Sequence, residues 1–313
     1  NESDKMITSW LAAFRLKTLP LALSNTIMGS ALAVNVDGFR LNIFVLAAIT
    51  TVLLQILSNL ANDYGDFVNG KDNADRIGPA RMVQTGAITP TAMLRAIVVN
   101  GILTAISGVW LIYEGTKGIS LSGGLLFGIL GVGAIAAAIK YTVGKNPYGY
   151  KGFGDIFVFV FFGLVSTLGV NFLYSKQLDA ILFLPATAIG FLSVAVLNLN
   201  NMRDEASDRK SGKNTLVVKM GIENAKKYHY FLIVSAMILV LLFAYLSNFN
   251  FDQYLFVLAY FPLVKHLVTV YKNHNSKLLD PELKKVALST FALSVLLALC
   301  MIFFFSDLIV NNS

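Results

Sequence analysis

The stretch LNIFVLAAITTVLLQILSNLANDYGD, residues 41–66, joins 22 uncharged residues to two aspartates three apart, Asp63 and Asp66. At about 1.5 Å per residue such a run crosses a hydrocarbon core of about 30 Å. It reads as a membrane-spanning helix whose end carries carboxylates, and the rest of the chain repeats the first half of that pattern.

Uncharged runs also cover 18–36, 96–113, 118–139, 156–175, 180–202, 228–251 and 286–306. One more, 253–271, is interrupted by Lys265 and His266 and reads as a span whose last turn reaches the interface, where a lysine snorkels. Of 313 residues 56% are hydrophobic and 14% charged, with a mean hydropathy of +0.66. The expectation is an all-α membrane protein in a single domain, 1–313. Its nine transmembrane helices fall near 18–36, 43–62, 91–113, 119–141, 155–175, 180–200, 228–248, 253–271 and 286–307.

Charge orients the bundle. Assigned to the nearer end of their spans, 22 of the 25 Lys and Arg share the side of the N-terminus, and only Arg40, Lys117 and Lys176 lie opposite. Positive residues stay inside, which predicts a cytoplasmic N-terminus and puts the long loops 63–90 and 201–227, with any chemistry they hold, on the cytoplasmic side. Thirteen of the 18 acids fall there too. The net charge of +7 then reflects topology and attraction to the lipid bilayer, not nucleic acid, for which there is no motif. Cys300 is the one cysteine, so no internal disulfide is possible. Residues 1–17 show no cleavable signal pattern.

Chemistry concentrates in two places. If the second helix continues past residue 62, Asn59, Asp63 and Asp66 share one face, being four and three residues apart. Asn200, Asp204 and Asp208 do the same at the end of the sixth helix. The two sets stand about 141 residues apart, Gly70-Lys71 is echoed by Gly212-Lys213, and two four-helix halves plus a ninth helix is the natural organisation. All-oxygen donors suit a hard cation such as Mg²⁺, completed by water and phosphate oxygens. Lys71, Arg76 and Arg81 follow the first set, and Arg209, Lys213 and Lys219 the second, in the alternation that metal-bridged diphosphate binding requires. No GxxxxGK[ST] or GxGxxG loop is present, and His229, His266 and His274 lack zinc-site spacing.

These motifs carry a resemblance. Asn59 to Asp66 with Gly70-Lys71-Asp72 and Asp75-Arg76-Ile77-Gly78-Pro79 resembles the first Asp-rich region of the UbiA superfamily of intramembrane aromatic prenyltransferases. Asn198 to Arg209 with Gly212-Lys213-Asn214-Thr215-Leu216 resembles its second region. Arg15 to Pro20 and Tyr141 to Gly154 extend the likeness over nearly the whole chain. The superfamily's first motif commonly has an acid four residues after its middle one. Here that position is Gly70 and the next acid is Asp72, a spacing similar to the branch that prenylates 1,4-dihydroxy-2-naphthoate in menaquinone synthesis.

The resemblance implies a UbiA-like bundle in a bacterial cytoplasmic (inner) membrane. It also implies Mg²⁺-dependent transfer of a polyprenyl group from a polyprenyl diphosphate to 1,4-dihydroxy-2-naphthoate, with decarboxylation. Asp63, Asp66, Asp204 and Asp208, with Asn59, Asn200 and Asp72, are the implied metal site. Tyr141, Tyr148 and Tyr64 are candidates to face the allylic cation, and Lys151, Arg15 and Asn25 to meet the acceptor. Prenyltransferases of the 4-hydroxybenzoate, homogentisate, haem or chlorophyll type are the nearest alternative, and a cation-coupled transporter the alternative from another class.

Overall fold

The structure, a computed structural model, describes residues 2–34, 38–72 and 77–310, with backbone only at residues 2 and 303–310. Among these residues every regular element is helical: α1 Glu2–Phe14, α2 Leu19–Ala31, α3 Leu41–Val68, α4 Pro90–Thr116, α5 Leu121–Lys140 and α6 Gly154–Ser175. They are followed by α7 Phe183–Lys210, α8 Leu216–Met220, α9 Ile222–Leu246, α10 Phe251–Lys272 and α11 Asp280–Val310. Eight of them (α3, α4, α5, α6, α7, α9, α10 and α11) are long and apolar enough to cross a membrane. The chain is a multi-pass membrane protein.

The first expected span, 18–36, forms a helix of only 13 residues, α2, which stops in a turn at 32–34. Burial explains its tolerance of polar side chains: Ser24, Asn25, Thr26 and Ser30 are all buried at the centre of the bundle. Each finds a partner there. Ser24 Oγ donates to the Pro20 carbonyl at 2.9 Å, Thr26 Oγ1 lies 2.8 Å from Thr51 Oγ1, and Ser30 Oγ 3.0 Å from Tyr174 Oη. With lipid outside, burying apolar surface between helices gains little, so hydrogen bonds and close backbone approach hold helices together. At Gly29 an added Cβ would stand 2.5 Å from the Thr167 carbonyl, and at Gly163 the same distance from the Gly190 Cα, which sets α2 on α6 and α6 on α7. The middle of α6, Phe159–Val165, widens to a π-helix, and the Asn25 amide donates to the Phe162 carbonyl at 3.2 Å.

Helices α3 and α7 are both 28 residues long and run past the expected ends at 62 and 200. Their aspartates do not stop them. Each ends instead at a left-handed glycine, Gly70 at φ +62° and Gly212 at φ +72°. Lys71 N–H donates to the Asp66 carbonyl and Lys213 N–H to the Asp208 carbonyl, both at 2.8 Å, while Gly70 and Gly212 donate to Phe67 and Arg209. This is the same double closure of the last turn at both ends. The loops expected from 63 and from 201 therefore begin at 69 and 211, and both motifs are helical throughout.

Candidate active site

The two helix ends face each other, and their lysines cross over. Lys71 Nζ donates to the Ser211 carbonyl at 2.6 Å, and Lys213 Nζ to Asp66 Oδ2 at 2.7 Å. Between them stands Tyr150, whose hydroxyl donates to Asp66 Oδ1 and whose ring centre is 5.9 Å from Lys71 Nζ and 5.3 Å from Lys213 Nζ. Asp66 is 1% exposed, so these donors are what keeps its charge tolerable away from bulk water.

The loop after α3 folds back on the same cluster. Arg81, itself buried, donates to Asp66 Oδ2 and to the Asn62 carbonyl, and its Nε lies 2.9 Å from Asp72 Oδ1. Burial draws the Arg81 pKa down, but Asp66, Asp72 and Asp63 outweigh it and the net shift is upward. Asp63 anchors the loop differently: its Oδ2 accepts Met82 N–H at 2.8 Å and its Oδ1 accepts Val83 N–H at 3.1 Å. Asp72, left unsettled by helical spacing, is thus joined to the first motif through Arg81. Arg76 lies outside the described residues.

Residues 141–152 close the third side. Gly65 admits them, because a Cβ there would stand 2.6 Å from the Thr142 carbonyl. Thr142 Oγ1 donates to the Ala61 carbonyl at 3.0 Å, and Asn69 Nδ2 to the Thr142 carbonyl at 2.8 Å. Tyr141 packs over Gly149 and Gly154, edge-on to Tyr148 with ring centres 5.4 Å apart. Tyr148 stacks on Phe157 at 4.0 Å and its hydroxyl donates to the Ala137 carbonyl at 2.7 Å, so it buttresses Tyr141. Burial and the charge of Asp66 push the Tyr150 phenol upward in pKa, which keeps it a donor.

In the second motif Asp204 is held by Arg203, whose Nε and Nη2 lie 2.9 and 2.7 Å from its two oxygens. Arg203 Nη2 also donates to Asn200 Oδ1 at 2.7 Å. Asp208 is buried one turn further on, its backbone closing the end of α7. Arg209 turns outward to Glu205 at 2.5 Å, and Lys219 donates to the Lys151 carbonyl. Neither side chain joins the cluster around Asp66. Asn59 donates to the Phe14 carbonyl at 2.9 Å and to Thr18 Oγ1 at 3.1 Å, tying α3 to the α1–α2 corner where Arg15 sits at φ +50°. Asn25 lies in α2, Arg15 in the turn between α1 and α2, and Lys151 in the 141–152 segment.

Sequence spacing missed Tyr150 and Arg203. Tyr150 is one of three tyrosines in the Tyr141 to Gly154 motif, and Arg203 is one of many cations on the basic side of the bundle, so spacing marks neither. The histidines also hold a surprise: His229 Nε2 and His266 Nε2 are 2.7 Å apart, with His266 Nδ1 2.5 Å from Glu282 Oε2, wholly inside the bundle.

Among the described residues no three His, Cys, Asp or Glu side chains gather closely enough to share one ion. Arginine and lysine pair with Asp66, Asp72 and Asp204 instead. The donors nevertheless fit a hard divalent cation, being carboxylate oxygens from two facing helix ends, and the Lys213 ammonium on Asp66 is a monovalent stand-in for such a charge.

The model of the UbiA prenyltransferase family matches residues 22–280. The chain belongs to the UbiA prenyltransferase family. It is 46% identical to a 1,4-dihydroxy-2-naphthoate octaprenyltransferase of Escherichia coli over 277 residues, 88% of this chain and 89% of that one. It is 42% identical to the enzyme of that name from Haemophilus influenzae over 304 residues, 96% of each. The UbiA fold is shared with a homologue from Aeropyrum pernix, TM-score 0.68 at 13% identity, over 93% of this chain and 99% of that one. It is shared too with a homologue from Archaeoglobus fulgidus bound to GPP and Mg²⁺, TM-score 0.66 at 15% identity, over 92% and 99%. Membership of the UbiA family makes the protein a membrane prenyltransferase.

Proposed function

We propose that this enzyme transfers a polyprenyl group from its diphosphate to 1,4-dihydroxy-2-naphthoate, releasing pyrophosphate and carbon dioxide and giving the demethylmenaquinol of menaquinone synthesis. The observation that carries the reading is the crossing of Lys71 and Lys213 between two aspartate-bearing helix ends, and its support is the extended identity to dihydroxynaphthoate octaprenyltransferases.

In this reading Asp63, Asp66, Asp204 and Asp208 hold Mg²⁺, with Asp72, Asn59 and Asn200 behind them. When bound, Mg²⁺ neutralises the charge that grows on the diphosphate as the allylic C–O bond breaks. Lys71, Lys213 and Arg81 grip the diphosphate oxygens, and Tyr150 holds Asp66 in place. Arg209 and Lys219, turned to Glu205 and to the Lys151 carbonyl, are peripheral attractors of the anion, and Arg76 is assigned to the diphosphate from its sequence position alone. Tyr141, backed by Tyr148, offers the allylic cation an aromatic face, while the buried packing around it excludes water. A phenolate-activated ring carbon of the acceptor then attacks the cation, and the acceptor's C–CO₂ bond breaks with release of carbon dioxide. Arg15 and Lys151 are assigned to the acceptor's carboxylate, and Asn25, held by the Phe162 carbonyl, to the acceptor as well.

Counting α2 as a ninth span gives two halves, α2–α5 and α6–α10, with α11 added, so that each motif ends the second spanning helix of its half. The whole chain then acts as one domain. The basic excess supports a cytoplasmic N-terminus and cytoplasmic motifs in a bacterial inner membrane.

The test is purified protein in liposomes with octaprenyl diphosphate and either dihydroxynaphthoate or 4-hydroxybenzoate, with and without EDTA. We expect prenylated product and CO₂ only from dihydroxynaphthoate, abolished by EDTA and restored by Mg²⁺. Prenylation of hydroxybenzoate alone would overturn the acceptor assignment.

A further inference from the structure

The guanidinium of Arg203 spans a buried carboxylate and a surface one. Arg203 is 3% exposed. Its Nε and Nη2 take both oxygens of Asp204, while Nη1 lies 2.6 Å from Oδ1 of Asp280, a side chain 55% exposed that opens α11, 77 residues further along the chain. Nη2 also reaches Asn200. The fork is thus fixed at three points, and it fixes Asp204 in turn. Each carboxylate oxygen has two lone-pair directions, so Asp204 keeps capacity for a cation while bound to Arg203.

We propose that Arg203 and Asp280 are positioning residues that orient Asp204 toward the divalent cation, a role that rests on reading the motif as a Mg²⁺ site. Asp280 holds the guanidinium, and the guanidinium holds the carboxylate plane. Charge alone makes a different prediction. A cation beside a metal site repels the metal, so if Arg203 acted only through its charge, a lysine at that position would bind metal just as well. Orientation requires the planar fork, which lysine lacks.

The experiment titrates Mn²⁺ into the purified full chain in detergent, without substrate, reading free Mn²⁺ by electron paramagnetic resonance, with thermal melting alongside. We expect Arg203→Lys to raise the Mn²⁺ dissociation constant by about 10- to 100-fold, the usual effect of losing a group that orients a metal ligand. Asp280→Asn moves the constant in the same direction, and Asp280→Glu restores most of the loss. Asp280→Asn alters an exposed side chain and keeps the test decisive where Arg203→Lys does not fold. If Asp204→Asn abolishes binding while Arg203→Lys and Asp280→Asn bind like wild type, or more tightly, the positioning role is overturned and the metal site stands. A wild-type protein that binds no Mn²⁺ removes the metal site and the positioning role together.

Discussion

Lys213 and Asp66 are 147 residues apart in sequence and 2.7 Å apart in space, and that contact joins the two motif-bearing helix ends into one site. Lys213 emerges from the closing turn of α7, whereas Asp66 belongs to the last turn of α3. Replacing Lys213 by Met leaves Asp66 with Arg81 and Tyr150 but takes one positive charge from the diphosphate site. We expect KM for the prenyl diphosphate to rise about tenfold or more, in line with the roughly 1.5–3 kcal/mol of a charged hydrogen bond. Steady-state kinetics at saturating acceptor read it, and an unchanged KM would remove Lys213 from the diphosphate site.

Tyr150→Phe keeps the ring between Lys71 and Lys213 and removes only the hydroxyl that Asp66 accepts. The carboxylate gains rotational freedom without losing its cations. Turnover is expected to fall by roughly 10- to 100-fold, with thermal stability nearly unchanged because the ring packing survives. A Tyr150→Phe protein with full kcat would show the hydroxyl to be dispensable.

Asp63 is 1% exposed and takes the Met82 and Val83 amides, so it is a structural anchor as well as a metal candidate. Asp63→Ala strands two backbone donors and should destabilise the protein by about 1–3 kcal/mol besides abolishing turnover. Asp63→Asn keeps an acceptor for one amide and should recover part of the stability but none of the activity. Melting temperature and product formation, measured together on both variants, separate the two roles; activity in Asp63→Asn would count against the metal assignment.

Gly70 and Gly212 occupy the same left-handed position in two similar turns but differ in surroundings. A Cβ at Gly70 meets nothing within 4 Å, while at Gly212 it comes 3.3 Å from Lys71 Nζ. Alanine at either site costs about 1–2 kcal/mol of backbone strain. Gly212→Ala should also displace Lys71 and raise KM for the diphosphate, whereas Gly70→Ala should lower the melting temperature with KM unaltered. Equal kinetic effects in the two variants would argue against a binding role for Lys71.

The uncharged runs, the charge asymmetry and the two Asn/Asp motifs were legible without coordinates, because lipid imposes length and polarity residue by residue and helical spacing needs only local sequence. The family and an all-helical membrane bundle followed from that level, although nine spans were expected and eight helices among the described residues are long and apolar enough to cross. Helix ends at 68 and 210 were harder to see, since glycines set them and the first charges did not. Only the tertiary structure decided which cation meets which carboxylate: Arg81 rather than Arg209 serves the cluster, Arg203 answers to Asp280, and Tyr150 rather than Tyr148 touches Asp66. Those pairings depend on how α3, α7 and the 141–152 segment approach one another. Periodicity along one helix carries no information about that approach.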